Sequence, residues 1–281
     1  MKTIDEQALQ AYAGRQLTLE DELHPFPAAA LAAALNRNLA PGRGDVVPPG
    51  WQWLYFLDAP RAAATGVDGH SIESALLPPP PLPRRMWAAG QMHIERPLRL
   101  GHPAQRRSTI KSIQVKSGRS GSLVFINLGH EFIQDQALCI SEEQNLVYRD
   151  MPAGPQSADQ GEPAPANAEW ERQLNPDPVL LFRYSALTYN SHRIHYDQIY
   201  ATRQEFYPGV VVQGPLLATL LLELCQSQLT QASIKTFQFR AVRPTYLEQM
   251  VRLGGKQSGQ EIALWSAQQG SLCMIATARL A

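Results

Sequence analysis

Residues 184–214, YSALTYNSHRIHYDQIYATRQEFYPGVVVQG, crowd His, Asn, Asp, Tyr and Arg together directly ahead of the most apolar stretch of the chain, PLLATLLLELCQSQ at 215–228. Polar groups beside a buried helix need partners, because an unpaired one costs roughly 1–3 kcal/mol. Such a cluster is either a satisfied structural network or a site. Three chemistries compete for it. His192, His195 and Asp197 spell HxxHxD, but no cysteine accompanies them and an irregular backbone fixes no tetrahedral geometry. A nucleophilic site lacks its parts: there is no GxSxG elbow, and Ser191 has no evident activating base. An acid/base site needs less. One histidine, His195, a nearby amide, Asn190, and a helix N-terminus suffice to move water across an activated double bond. The plain alternative is that His195 only satisfies hydrogen bonds in the core.

The helix that would position this chemistry begins at Gly214 and Pro215. Proline is tolerated at a helix start, where its missing N–H would be unpaired anyway. The free N–H groups there carry the positive end of the helix dipole and can hold a thioester oxygen as it becomes an enolate. Gly214 has no side chain to keep a ligand away.

Around this centre, 28–39 is alanine- and leucine-rich and predicts a helix, and 108–115, 122–128 and 131–140 predict strands, with KSGRSGS at 116–122 turning between the first two. In the second half, 179–184 reads as a short apolar strand, 215–228 as a buried helix, and 234–239, 250–253, 262–268 and 272–280 as strands. A helix wrapped by an antiparallel sheet, twice, is an α+β arrangement. The two halves share no evident sequence repeat. Two proline-rich breaks interrupt the chain, LPPPPLPRR at 77–85 and the Pro-, Gly- and Ala-rich stretch 151–178. The second reads as an exposed linker between a domain at 1–150 and another at 179–281.

The bulk composition excludes several classes. Lys plus Arg and Asp plus Glu are 25 each, so no net field draws in a polyanion and nucleic-acid binding is not expected. Cys139, Cys225 and Cys273 are far apart, which suits buried thiols in a reducing compartment rather than a disulfide scaffold. No apolar run approaches the ~20 residues that span a bilayer, and the start lacks a signal-peptide pattern. The expectation is a cytoplasmic protein without a membrane partner.

The 184–214 run resembles the hydratase-2 motif of MaoC-like hot-dog enzymes, in which an aspartate stands five positions before a histidine; Asn190 and His195 hold that spacing. The closer resemblance is to the hydroxyacyl-thioester dehydratase type 2 branch, which includes mesaconyl-CoA hydratases. It extends to DGH at 68–70, LPRRMWAAGQM at 82–92, IERPLRLG at 94–101, KSGRSGSLVFI at 116–126 and FRAVRP at 239–244.

That resemblance implies a double hot-dog, with an acyl-CoA thioester threaded between the halves and acid/base residues kept only in the second. It implies no metal and no cofactor, coenzyme A entering as part of the substrate, and it allows a homodimer. Asn190 departs from the family's aspartate. An amide takes no proton at neutral pH, so His195 would carry the proton and Asn190 would orient water or the histidine. Asp197 and Tyr189 are supporting candidates, Asp197 being equally suited to cap a helix. Within the branch the expected reaction is hydration of itaconyl-CoA or mesaconyl-C4-CoA to citramalyl-CoA, in C5 dicarboxylate catabolism of the itaconate type. The free carboxylate of such a substrate needs a cation, for which Arg193, Arg240, Arg243, Arg84 and Arg85 are candidates. A 3-hydroxyacyl-thioester dehydratase of fatty-acid synthesis and a non-catalytic acyl-CoA binder are the alternatives.

Overall fold

The computed structural model describes residues 4–118, 121–155, 161–229 and 232–281. Ten strands form one antiparallel sheet: β1 (Gln16–Asp21), β2 (Arg84–Ile94), β3 (Ala104–Gly118), β4 (Gly121–Gln134), β5 (Ala137–Arg149), β6 (Trp170–Leu174), β7 (Ile234–Ala241), β8 (Val251–Ser258), β9 (Glu261–Gln268) and β10 (Ser271–Leu280). Their spatial order is β1-β3-β4-β5-β2-β7-β10-β9-β8-β6. The first five belong to the first half of the chain and the last five to the second. The halves meet where β2 pairs with β7, Gly90 opposite Phe239 and Met92 opposite Phe237. The fold is an α+β double hot-dog, as the resemblance implied.

The helices are α1 (Glu6–Gln10), α2 (Pro25–Ala34), α3 (Pro178–Leu187), α4 (Gln198–Arg203) and α5 (Gly214–Gln228). Ten consecutive residues of α5, from Leu216 to Cys225, are buried, because the helix packs against the strands of the second half while α2 and the Trp51–Leu54 turn join the same core. The concave face of β3–β5 has a separate apolar cluster. Leu9 of α1 and Leu76 and Leu82 of the proline-rich loop contribute to it.

Several expected elements change. Residues 179–184 are helical, not extended: Asp177 accepts a hydrogen bond from Leu180 N–H at 2.7 Å, and Pro178 pre-sets the first turn of α3. A six-residue apolar run carries no period long enough to separate the two states. The helix expected at 28–39 lies at Pro25–Ala34. Asn36 takes a left-handed φ of 54°, and Arg37 N–H reaches back to the Ala32 carbonyl, the closing bond of a Schellman end. The strand expected at 131–140 is split by a two-residue turn, since Asp135 and Gln136 both have positive φ and Gln134 pairs with Ala137. The stretch 151–178, expected to be linker throughout, contains β6, an edge strand paired with β8. The turn expected at 116–122 falls partly outside the described residues. β1 and β2 have no counterpart among the expected strands. Among the described residues no helix is long and apolar enough to cross a membrane.

Candidate active site

α3 ends in a second Schellman turn. Tyr189 holds the left-handed position that glycine usually fills, with φ 49°, and Asn190 N–H bonds the Ser185 carbonyl at 2.8 Å. Asn190 then folds the chain again, its Oδ1 accepting from His192 N–H at 3.1 Å. The Arg193–His195 turn follows, and α4 starts on Asp197, which accepts from Tyr200 N–H at 2.9 Å. This succession of turns places His192 and His195 inward, both buried.

His195 Nδ1 donates to the Val211 carbonyl at 2.7 Å. A carbonyl only accepts, so that bond fixes the tautomer and leaves Nε2 with its lone pair. Burial, reinforced by the neighbouring His192, pushes the His195 pKa down to about 3. The ring is neutral at physiological pH and is a proton acceptor.

A turn from the first half of the chain closes over this segment. Arg193 N–H donates to the Asp68 carbonyl at 2.8 Å, Arg193 Nη1 donates to the Val67 carbonyl at 3.0 Å, and the Ser191 hydroxyl donates to the Gly69 carbonyl. The turn delivers His70, whose ring centroid lies 4.1 Å from that of His192. His70 Nδ1 donates to Asp68 Oδ2 at 2.9 Å. Burial and the charge of Arg85 bring the His70 pKa to about 4, against the opposing pull of Asp68. Behind His192, Glu205 accepts from His192 Nε2 at 3.2 Å and from Arg84 Nε at 3.0 Å. Burial alone would raise the Glu205 pKa, but His192 and Arg84 outweigh it and hold the carboxyl below the usual range. The Arg84 guanidinium also lies 4.6 Å from the Tyr207 ring centroid.

His70, His192, His195, Glu205, Arg84 and Tyr207 line a cavity of about 1730 Å³ that runs between the two halves. Of the expected site residues, His195, Asn190, Gly214, Tyr189, Arg84, Arg85 and Arg243 all line it. No side chain caps the N-terminus of α5, and a Cβ on Gly214 would meet only the Trp87 carbonyl, at 3.9 Å. The start of the helix is therefore open to the cavity. Three expectations change. Arg193 is held by Asp197 and Val67, and its guanidinium lies 4.4 Å from the Tyr200 ring centroid; it fastens the halves together instead of facing the cavity. Arg240 projects from β7 as an exposed residue outside the cavity. Asp197 is consumed by capping α4 and pairing with Arg193, so it does not stand in for the family's aspartate. His192, His195 and Asp197 each engage a different partner, and the HxxHxD spacing does not converge on one point.

Other residues at the site carried no assignment in the sequence. His70, which lines the cavity, and Asp68, which holds its ring from behind, belonged to the DGH motif, which resemblance marked without giving it a task. Arg106 and His130 lie on the first half's concave face, and Arg106 makes no ion pair among the described residues. Burial holds the Arg106 pKa below the usual guanidinium value. Alternation in β3 and β4 was the available signal for these two, since both side chains project inward from long strands.

The double hot-dog fold and the comparisons with known proteins together define the class, a hydro-lyase of the dehydratase type. The chain belongs to the hydroxyacyl-thioester dehydratase type 2 family, whose model matches residues 50–247. It is 41% identical over 272 residues to a mesaconyl-C(4)-CoA hydratase of Chloroflexus aurantiacus, covering 96% of this chain and 97% of that one. It is 30% identical to the mitochondrial hydroxyacyl-thioester dehydratase type 2 of Schizosaccharomyces pombe, covering 89% and 92% of the two chains. A Mycobacterium tuberculosis protein described as having a double hotdog fold superposes with a TM-score of 0.57 at 12% identity, over 96% of each chain. That likeness supports the fold alone.

Proposed function

We propose that the protein hydrates a short branched dicarboxylyl-CoA, mesaconyl-C4-CoA or itaconyl-CoA, to citramalyl-CoA, as a step in C5 dicarboxylate breakdown. The observation that carries the reading is that one cavity is lined both by His195, whose Nε2 has no partner among the described residues, and by the uncapped start of α5. In mesaconyl-C4-CoA the double bond is conjugated with the thioester. His195 Nε2 takes a proton from water as the water oxygen bonds to the β-carbon. The π electron pair moves onto the thioester oxygen, where the N–H groups at Gly214 and the first turn of α5 stabilise it. The histidinium then returns its proton to the α-carbon, and the enolate collapses to the thioester. Itaconyl-CoA would first need its double bond moved into conjugation.

Two guanidiniums support a substrate with a free carboxylate. Arg85 and Arg243 line the cavity and make no ion pair among the described residues, unlike Arg84, which Glu205 occupies. The likeness to the Chloroflexus hydratase points the same way. The test is a spectroscopic hydration assay across mesaconyl-C4-CoA, itaconyl-CoA, crotonyl-CoA and a longer 2-enoyl thioester. Preference for the dicarboxylyl thioesters, abolished in His195→Ala with the fold retained, is the expected result. Preference for the long chain would move the protein to a fatty-acyl dehydratase, and binding without turnover would make it an acyl-CoA binder.

A further inference from the structure

His195 is not the only imidazole that presents a lone pair to the cavity. His70, brought from the other half of the chain, shows the same arrangement in a more strongly supported form. Its Nδ1–H is held by Asp68 at 2.9 Å, and Asp68 is itself ordered, accepting from His70 N–H at 2.9 Å as well. The carboxylate accepts only, so the His70 proton is fixed on Nδ1 and Nε2 is left as an acceptor with no partner among the described residues. The ring sits beside His192, and the donor atoms of Asp68, His70 and His192 lie within 4.8 Å of one another. His192 in turn stands edge-on to His195, with centroids 5.4 Å apart. Asn190, whose position in the motif would otherwise supply a carboxylate, spends its Oδ1 on the His192 backbone.

We propose that His70, oriented by Asp68, is a second catalytic residue, and that it holds the reacting water together with His195. This rests on the hydratase reading above. A water has two hydrogens, and a neutral imidazole can accept one. With one hydrogen on His195 Nε2 and the other on His70 Nε2, the oxygen lone pair is left facing the β-carbon. As the O–H bond to His195 breaks and the C–O bond forms, the hydrogen on the His70 side stays with the new hydroxyl, so His70 ends the step neutral. Asp68 is a positioning residue. It keeps the proton on Nδ1, because the opposite tautomer would turn the acceptor into a donor and repel the water's hydrogen. The role is one the Asp–His pair performs by geometry, across an interface that a turn of three residues creates.

The experiment uses the full-length protein and whichever enoyl thioester the wild type converts fastest. His70→Ala is expected to lower kcat about 100-fold with KM changed no more than about threefold, and exogenous imidazole should restore part of the lost rate. Asp68→Asn should lower kcat about tenfold or more by releasing the tautomer, with thermal melting near that of the wild type. Should His70→Ala fail to fold, His70→Gln and Asp68→Asn carry the test, since both keep the turn's volume. The proposal is overturned if His70→Ala or His70→Gln keeps kcat within about threefold of wild type. It is equally overturned if imidazole restores nothing and Asp68→Asn is fully active, or if chelation removes activity and added metal returns it. These outcomes differ from failure of the hydratase reading, in which the wild type converts no enoyl thioester or His195→Ala remains active.

Discussion

Gly69 and Ser191 meet backbone to backbone, so closely that a Cβ on Gly69 would lie 1.8 Å from the Ser191 carbonyl oxygen. Gly69 also has φ +90°, a conformation other residues adopt only with strain. These two residues are 122 positions apart, and their contact is what seats His70 beside His192.

Gly69→Ala is therefore expected to displace the 67–70 turn. The conformation alone costs about 1–3 kcal/mol, and the overlap with backbone adds to it. Activity should fall at least about tenfold, because small misplacements of a catalytic group are expensive. Paired kcat and thermal-melting measurements check this; a variant with wild-type kcat would show that the turn is not seated by the glycine.

Stability should depend on acid through the histidines. His195 and His70 have folded pKa values of about 3 and about 4, both below the ordinary 6.5. An unfolded chain binds protons at these sites between roughly pH 4 and 6.5 and the folded chain does not, so stability rises with pH across that window and is lost as pH falls through it. The charged and titratable groups beside the two rings are Asp68, Arg85 and His192. Urea denaturation near pH 5 and near pH 7.5 should differ in that direction, and His195→Gln should reduce the difference.

Glu205→Gln should be strongly destabilising. It leaves Arg84 buried without its counter-charge, and because the amide keeps only one acceptor oxygen, its NH2 faces either Arg84 or His192, donor against donor. Breaking a buried pair on one side costs about 3–5 kcal/mol. Chemical denaturation gives the value directly; a cost under about 1 kcal/mol would mean that water already supports the pair.

Arg85→Gln should separate substrates. Arg85 lines the same cavity as His70 and makes no ion pair among the described residues, so on the hydratase reading it is a candidate to meet the carboxylate on the β-carbon of a mesaconyl group. Loss of a charged hydrogen bond costs about 1.5–3 kcal/mol, or roughly 10–100-fold in KM for the dicarboxylyl thioester. Crotonyl-CoA, which lacks the carboxylate, should be affected far less. Equal effects on both would assign Arg85 to another task.

Much of the site was legible in residues 184–228. The apolar run of α5, the Gly214–Pro215 start and the spacing of Asn190 and His195 are local patterns, and local chemistry dictates how they fold. Strands β7 to β10 of the second half were legible for the same reason, through their β-branched and apolar runs, while β6 was hidden in a stretch that reads as linker. Where two local rules competed, the sequence was a poorer guide. Residues 179–184 are apolar enough for a strand, yet Asp177 and Pro178 make them the first turns of a helix. β2, which joins the two halves, gave no strand signal because its middle, Ala88-Ala89-Gly90-Gln91, has no β-branched residue and its pairing on both sides is set by distant strands. Asp197 and Arg193 had the right types for a site, and only the fold showed them bound to each other and to the backbone.

The sequence by itself determined the candidate histidine, the helix start that opens on the cavity, and the family. Tertiary structure alone decided which residues share their cavity. The Asp68–His70 pair is brought to His192 by a contact spanning more than a hundred residues, and such a contact leaves no periodicity or spacing in the chain. Its one trace is a glycine, Gly69, whose need for a bare backbone becomes visible only when Ser191 is set against it.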